Sequence, residues 1–211
     1  MNPRKLYFAS NVLWQTLDGG QQWTPLSPDL TRERWDAPAN VGVYRNTPVA
    51  APTRRGVIYT IAPSTIDPNV IWVGTDDGLI HVTRDAGKTW TNVTPPDLPA
   101  FTRISLIDAS PHNPAVAYLA GNRYQRADRA PYVYKTADYG KSWTKIVAGL
   151  PADDFPRVVR EDTVRRGLLF LGTETTVYVS VDDGAMWQSL RLDLPVTPIH
   201  GLLIKKDDLV I

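Results

Sequence analysis

Thr83-Arg84-Asp85-Ala86-Gly87-Lys88-Thr89-Trp90 is one of four copies of a single octapeptide pattern, Ser/Thr-x-Asp-x-Gly-x-x-Trp. The others are Thr16-Leu17-Asp18-Gly19-Gly20-Gln21-Gln22-Trp23, Thr136-Ala137-Asp138-Tyr139-Gly140-Lys141-Ser142-Trp143 and Ser180-Val181-Asp182-Asp183-Gly184-Ala185-Met186-Trp187. They use four of the seven tryptophans, so a scarce residue recurs at a fixed offset from Asp and Gly. The pattern, called a box below, describes a hairpin turn. Its Asp carboxylate can accept backbone N–H groups, and its Gly reaches positive φ without steric cost. The Ser/Thr hydroxyl secures a further backbone group, while Trp opens the return strand and buries a large apolar area. Catalysis or metal binding by the box aspartates would require them to converge, and repeats on separate units hold them apart.

The box aspartates Asp18, Asp85, Asp138 and Asp182 stand 67, 53 and 44 residues apart. That spacing is close to or above the roughly 40–50 residues of a four-stranded propeller blade. Residues 57–94 show the plan: strand-like Val57–Ala62, Val70–Thr75 and Leu79–Thr83, each separated by a turn, then the box and Trp90–Thr94. Several of these strands are apolar on consecutive residues, as a sheet buried on both faces requires. The expected fold is therefore all-β, a propeller of four-stranded antiparallel blades. Full blades are expected at 57–95, 101–148 and 157–194, a partial blade at 1–29, a connection at 30–56 and a partial blade at 198–211. Such a chain is read as part of a larger propeller; a four-blade ring closed by pairing its C-terminal and N-terminal strands is the alternative.

A net charge of +1 with 21% charged residues argues against nucleic acid or an anionic membrane as partner. The absence of cysteine excludes disulfides and thiolate chemistry. No apolar run approaches the length of a membrane span, and no signal-peptide pattern is present. His81, His112 and His200 lack metal-ligand spacing, so neither a metal nor a cofactor is expected. Asn92-Val93-Thr94 matches a glycosylation acceptor, which matters only for a secreted eukaryotic chain.

The boxes resemble the Asp-box, or bacterial neuraminidase repeat, of sialidases, some xyloglucan-cleaving enzymes, photosystem II assembly factors and sortilin-type (VPS10) receptors. Val73-Gly74-Thr75-Asp76-Asp77-Gly78-Leu79 and Leu171-Gly172-Thr173-Glu174-Thr175-Thr176-Val177 look most like bacterial sortilin-type propellers, often labelled glycosyl hydrolases. Boxes 1 and 4 depart from the pattern in carrying Gln22 and Met186 where Thr or Ser is usual. The resemblance implies a non-catalytic propeller binding a protein, peptide or glycan, with a sialidase- or xyloglucanase-like glycosidase as the alternative. It also implies an exported parent protein; the chain itself leaves its compartment open.

In such a meander the first-to-second and boxed turns share one face, and the remaining turns and blade connections share the other. The long segments Pro28–Gly56, Asn122–Pro131 and Pro151–Pro156 all belong to that second, loop-rich face, where function concentrates. This logic sets aside Asp108, Glu161, Asp162 and Asp207. It selects Asp76, Asp77, Arg103, Arg123, Tyr124, Arg126, Asp128, Asp153, Asp154, Arg157 and Glu174. Arg103, Arg123, Tyr124, Arg126, Asp153, Asp154 and Arg157 are the ligand-binding candidates. Asn122-Arg123-Tyr124-Gln125-Arg126 could stack on and hydrogen-bond a peptide or sugar. Asp153-Asp154 could serve a glycosidase, which needs two carboxyls at a set separation. Arg103 resembles the carboxylate-binding Arg-Ile element of sialidases, but no nucleophile with its partner acid can be assigned, so no catalytic set is named.

Overall fold

The computed structural model describes residues 3–35, 37, 39–46, 56–205 and 208–211. The fold is all-β: its strands form antiparallel meanders in which sequence neighbours pair. The first sheet holds β1 (Leu6–Ala9), β2 (Leu13–Thr16) and β3 (Thr24–Pro25). The second runs β4 (Ile58–Pro63), β5 (Ile71–Thr75), β6 (Ile80–Thr83) and β7 (Thr91–Asn92). The third comprises β8 (Arg103–Ala109), β9 (Ala117–Arg123), β10 (Asp128–Thr136) and β11 (Thr144–Lys145), and the fourth β12 (Pro156–Glu161), β13 (Leu169–Thr173), β14 (Val177–Ser180) and β15 (Gln188–Ser189). A hairpin of β16 (Leu203–Lys205) and β17 (Asp208–Val210) follows. Among the described residues no helix is long and apolar enough to cross a membrane.

Alternation along the strands supplies two cores at once. On β5, Ile71 and Val73 pack with Leu13, Leu30 and Ile58 toward the first sheet, whereas Trp72 packs with Ile104, Ile107 and Leu119 toward the third. Tyr118 and Val133 of the third sheet meet Val159, Leu171 and Trp187 of the fourth. Burial on both faces explains the consecutive apolar residues. Gly74 and Gly172 permit this close stacking, since a methyl group on either would lie 2.3 and 2.5 Å from Ile104 Cγ2 and Ile199 Cγ2 respectively. The inner strands β4, β8 and β12 pack successively against one another, and the two-residue strands β7, β11 and β15 form the exposed outer rim.

Each box is a closed hydrogen-bond unit. In the second, Thr83 Oγ1 donates to Asp85 Oδ1 at 2.8 Å and accepts from Gly87 N at 2.9 Å, while Asp85 accepts the Thr89 amide and hydroxyl at 2.9 and 2.6 Å. Thr136, Asp138, Gly140 and Ser142 repeat the set. Thr16, Asp18 and Gly20, and Ser180, Asp182 and Gly184, keep it without the side-chain bond that Gln22 and Met186 do not make. The residue before each box glycine is also left-handed, at φ 59° for Ala86, 60° for Tyr139 and 64° for Asp183. Sequence reasoning assigned positive φ to the glycine alone.

The box tryptophans do more than cover their own turn. Trp90 Nε1 donates to Leu26 O at 3.0 Å, Trp143 Nε1 to Val93 O at 2.7 Å and Trp187 Nε1 to Ile146 O at 2.8 Å, each joining one sheet to the preceding one. Their burial is uneven: Trp187 is 2% exposed, Trp90 and Trp143 are half-buried, and Trp23 is 40% exposed.

One loop expectation is corrected. Asn122–Pro131 is a prolonged hairpin rather than an irregular loop: β9 runs to Arg123, a single 3-10 turn covers Tyr124–Arg126, and β10 starts at Asp128. The Arg123–Asp128 ion pair at 2.9 Å clamps its neck, and Asp128 also accepts the Ala130 amide and the Tyr132 hydroxyl. Pro131, which has no N–H, sits where the register slips between Asp128 and Tyr132.

Candidate functional site

The loop-rich face is assembled by backbone irregularities that recur in three sheets. An extra residue interrupts the pairing of β4 at Tyr59, of β8 at Ser105 and of β12 at Arg157. Such bulges re-aim side chains at strand ends. Tyr59 and Arg157 are thereby brought to the same surface as Arg103, the first residue of β8.

Arginines and aromatic rings interleave across this surface. The Arg103 guanidinium lies 5.0 Å from the Tyr59 ring and 5.8 Å from the Tyr124 ring, and its NH2 donates to Gln125 Oε1 at 2.8 Å. Arg126 sits 4.4 Å and Arg32 5.3 Å from the Phe101 ring, against which Trp35 packs edge-on at 5.7 Å. Tyr124 stacks on Phe155 at 5.1 Å, and Arg157 lies 5.6 and 5.1 Å from those two rings. Arg129 completes the row 5.2 Å from Phe155. Rings hold the guanidinium planes by cation–π attraction, leaving their N–H edges available where no protein acceptor meets them. Arg103 Nε is buried and has no hydrogen-bond partner among the described residues. A narrow cleft of about 40 Å³ opens between Trp35, Asp76, Phe101, Arg103 and Arg126.

The acids of this face are mostly occupied. Asp77 is fully buried and accepts the Thr75 hydroxyl at 2.5 Å and the Arg32 amide at 2.8 Å. Asp154 is 3% exposed, its Oδ2 accepting the hydroxyls of Thr173 and Thr175 at 2.7 Å each and that of Tyr178 at 3.4 Å. It thus replaces, from a blade connection, the carboxylate that Asp77 gives the corresponding turn of the second sheet. Asp153 is exposed, and its carbonyl accepts Arg129 Nε at 3.2 Å. Glu174 pairs with Arg157, Nε to Oε2 at 2.7 Å, and Arg123 is spent on Asp128 and the Ala100 carbonyl. Asp76 differs. Burial raises its carboxyl, the Val57 amide and Arg103 pulling against it and the Asp77 charge adding to it.

The structure therefore brings Arg103, Tyr124, Arg126 and Arg157 together, holds Arg123 in a hairpin clamp and buries Asp154 beneath hydroxyls. Tyr59, Phe101, Arg32, Arg129 and Trp35 join the surface without having been singled out from sequence, and Phe155, 1% exposed, supports it from beneath Tyr124; Phe101 and Phe155 had a signal in their placement on the connections entering β8 and β12. On the opposite face, Asp108 pairs with Arg160 at 2.7 Å and accepts the Glu161 amide at 2.8 Å. Asp207 lies outside the described residues.

No protein-family model matches the chain, and no curated protein matches it. Solved structures do. The GH74 xyloglucanase from Xanthomonas campestris superposes with a TM-score of 0.68 at 19% identity, over 98% of this chain and 33% of that one. An ancestral GH74 enzyme gives 0.64 at 18% identity over 89% and 22%. YCF48 bound to D1 peptide gives 0.53 at 22% identity over 69% and 44%. The chain spans less than half the length of each. Likeness at such identities shows the fold alone: the sheets are blades of a β-propeller.

Proposed function

We propose that the protein is a non-catalytic propeller of the Asp-box, sortilin-like kind that binds a protein, peptide or glycan through its loop-rich face. One observation carries this reading: the continuous row of guanidinium groups on aromatic rings from Arg32 and Phe101 through Arg103 and Tyr124 to Phe155 and Arg157. The exposed rings of Tyr59 and Tyr124, the latter backed by the buried Phe155, offer stacking surface for a sugar or an extended peptide, and guanidinium edges donate to carboxylates, carbonyls or hydroxyls. YCF48 has been solved with a bound peptide, and the Xanthomonas campestris GH74 protein is a xyloglucanase, so both ligand classes suit the fold.

The test is binding of the full chain to immobilised peptide and oligosaccharide panels. Arg103→Ala/Arg157→Ala should weaken any ligand found by at least about tenfold, or about 1.4 kcal/mol. Unchanged capture would remove the row from the site.

A glycoside hydrolase is the second reading, and one observation favours it: Asp76 has a raised carboxyl and lines the cleft beside Arg103. A proton donor needs such a shift, together with a second carboxyl across the scissile bond. Turnover of xyloglucan oligosaccharides or aryl glycosides that Asp76→Asn abolishes would establish this reading over the first. Retention of that turnover in Asp153→Ala/Asp154→Ala would confine it to Asp76.

A further inference from the structure

Arg123 and Arg157 each hold a carboxylate, Asp128 and Glu174, but Arg103 has none in hydrogen-bond contact among the described residues. Its guanidinium donates to uncharged partners, Gln125 Oε1 at 2.8 Å and the Tyr124 hydroxyl at 3.5 Å, and stands near the Tyr59 and Tyr124 rings. Its Nε is buried without a partner among the described residues. A buried donor on a charged group costs more to leave unmatched than a neutral one, so this atom calls for an anionic acceptor. The fork is also held in place before any ligand arrives: Tyr124 and Gln125 sit on the hairpin tip whose neck the Arg123–Asp128 pair clamps.

The cleft beside Arg103 sets the size of that acceptor. It holds about 40 Å³ between Trp35, Asp76, Phe101, Asn122 and Gln125. At about 10–15 Å³ for one water-sized group, it has room for a carboxylate and the methylene behind it, and not for a sugar ring. A uronic acid carries its carboxyl directly on the ring, and a peptide C-terminus carries it on a substituted Cα beside an amide. A glutamate side chain presents it on a slender, unbranched stem, which the Trp35 and Phe101 rings can cover. Asp76 shares the cleft, and burial already raises its carboxyl. That lowers the cost of seating a second carboxylate beside it, because two carboxylates at one site can share a proton.

We infer that the Arg103 cleft receives the side-chain carboxylate of a glutamate in an extended peptide, the guanidinium gripping the carboxylate while Trp35 and Phe101 hold its methylene stem. This use of the cleft, which rests on the binding reading above, narrows the ligand from a protein, peptide or glycan to an acidic peptide. Specificity then comes from the charge and from the stem together: the planar fork of Arg103 suits a carboxylate, and the narrow cleft excludes carboxyls mounted on bulkier groups.

Chemical-shift titration of the full chain, followed in ¹H–¹⁵N spectra, tests this with small probes. The first is the peptide Gly-Gly-Glu-Gly-Gly, acetylated and amidated at its ends. The others are the same blocked peptide with Gln in place of Glu, that Gln peptide with a free C-terminal acid, and trigalacturonate. The Glu peptide should saturate in the millimolar range, and each of the others should bind at least about tenfold more weakly. Arg103→Gln should weaken the Glu peptide by at least about tenfold, and Arg165→Gln, on the opposite face, should leave it unchanged. Should the spectrum show Arg103→Gln unfolded, Arg103→Lys, which keeps the charge and loses the planar fork, replaces it and should weaken binding at least about fivefold. A Glu peptide that does not saturate, a Gln peptide that matches it, or binding indifferent to Arg103 would each overturn the inference. A free acid or trigalacturonate that binds as tightly would overturn it too, moving the carboxylate to a C-terminus or a glycan. If the Glu probe fails while Arg103→Ala/Arg157→Ala still releases a ligand from the panels, the binding reading stands without this use of the cleft.

Discussion

Trp187→Ala is the substitution that separates a joint between blades from a mere turn filler. Trp187 is 2% exposed among Tyr118, Val159 and Leu171, and its indole N–H is held by Ile146 O at 2.8 Å. Truncating so large a buried ring costs about 3–5 kcal/mol, within which about 1–3 kcal/mol belongs to the carbonyl left without its donor. Trp187→Phe keeps most of the ring and loses only the N–H, so it should cost about 1–2 kcal/mol. Trp23 occupies the same position in its box, yet it is 40% exposed and its indole N–H meets no carbonyl among the described residues; in this chain Trp23→Ala should cost less than about 1 kcal/mol. Urea unfolding followed by far-UV circular dichroism at low protein concentration gives all three values, taken from midpoints at constant m. A Trp23→Ala loss as large as that of Trp187→Ala, or a Trp187→Ala loss below about 1 kcal/mol, would refute the joint.

The glycines extend the contrast: Gly140→Ala must hold φ at +81° and displace Val93, costing about 2–4 kcal/mol, whereas Gly20→Ala meets strain at φ +103° with only the Trp23 ring in ordinary contact at 3.9 Å and should cost about half as much in the same assay. Burial lowers His81 from 6.5 to about 4, so its contribution is complete above pH 6.5 and declines as pH falls toward 4, by up to about 3 kcal/mol. His81→Leu should flatten the stability profile across that window, and a profile unchanged from wild type would show that His81 does not titrate there. Asp85 is lowered to about 2 by the Thr89 hydroxyl and amide, so the second box is intact above pH 3.8 and releases as pH falls toward 2. Asp85→Asn should abolish that acid-dependent step when the turn is followed by amide hydrogen exchange.

The four-stranded antiparallel sheets and the box chemistry could be read from the sequence because they are local: Thr83, Asp85 and Gly87 bond within five residues of one another, and such contacts leave a fixed spacing. What joins separate blades leaves none. The Trp–carbonyl joints span 41 to 64 residues, and the aliphatic residue three after each tryptophan has no meaning until the blades are stacked. Bulges likewise hide in a strand: nothing in Val57-Ile58-Tyr59-Thr60 announces that Tyr59 is the unpaired residue that meets Arg103. Asp154 looked like a candidate acid because it neighbours Asp153 in a Pro-flanked loop. A signal of its true employment existed in Thr173-Glu174-Thr175, where the second sheet has Thr75-Asp76-Asp77: a turn lacking its own carboxylate must borrow one.

The two faces of the propeller thus spend their charges differently, and this difference bears on what the molecule can bind. Box aspartates are saturated by hydroxyls and amides within their own turns, so the box face offers a partner few acceptors. On the loop face Asp77, Asp128, Asp154 and Glu174 are each committed to a hydroxyl, an amide or a guanidinium. Several arginines there are held both by rings and by protein acceptors: Arg32 Nε donates to Asp77 O, Arg103 Nη2 to Gln125 Oε1, Arg129 Nε to Asp153 O and Arg157 Nε to Glu174 Oε2, which together orient those guanidinium planes. A surface whose acceptors are spent and whose donors are oriented favours a ligand that brings acceptors, such as carboxylates, carbonyls or sugar hydroxyls, together with a flat apolar face to stack. Hydrolysis asks for the reverse, two carboxyls standing free across a bond, and Asp76, whose carboxyl burial raises, is the candidate proton donor for such work. Binding therefore demands less of these residues than catalysis does, because Arg103 and its rings already stand in place, whereas Asp76 still needs a partner acid.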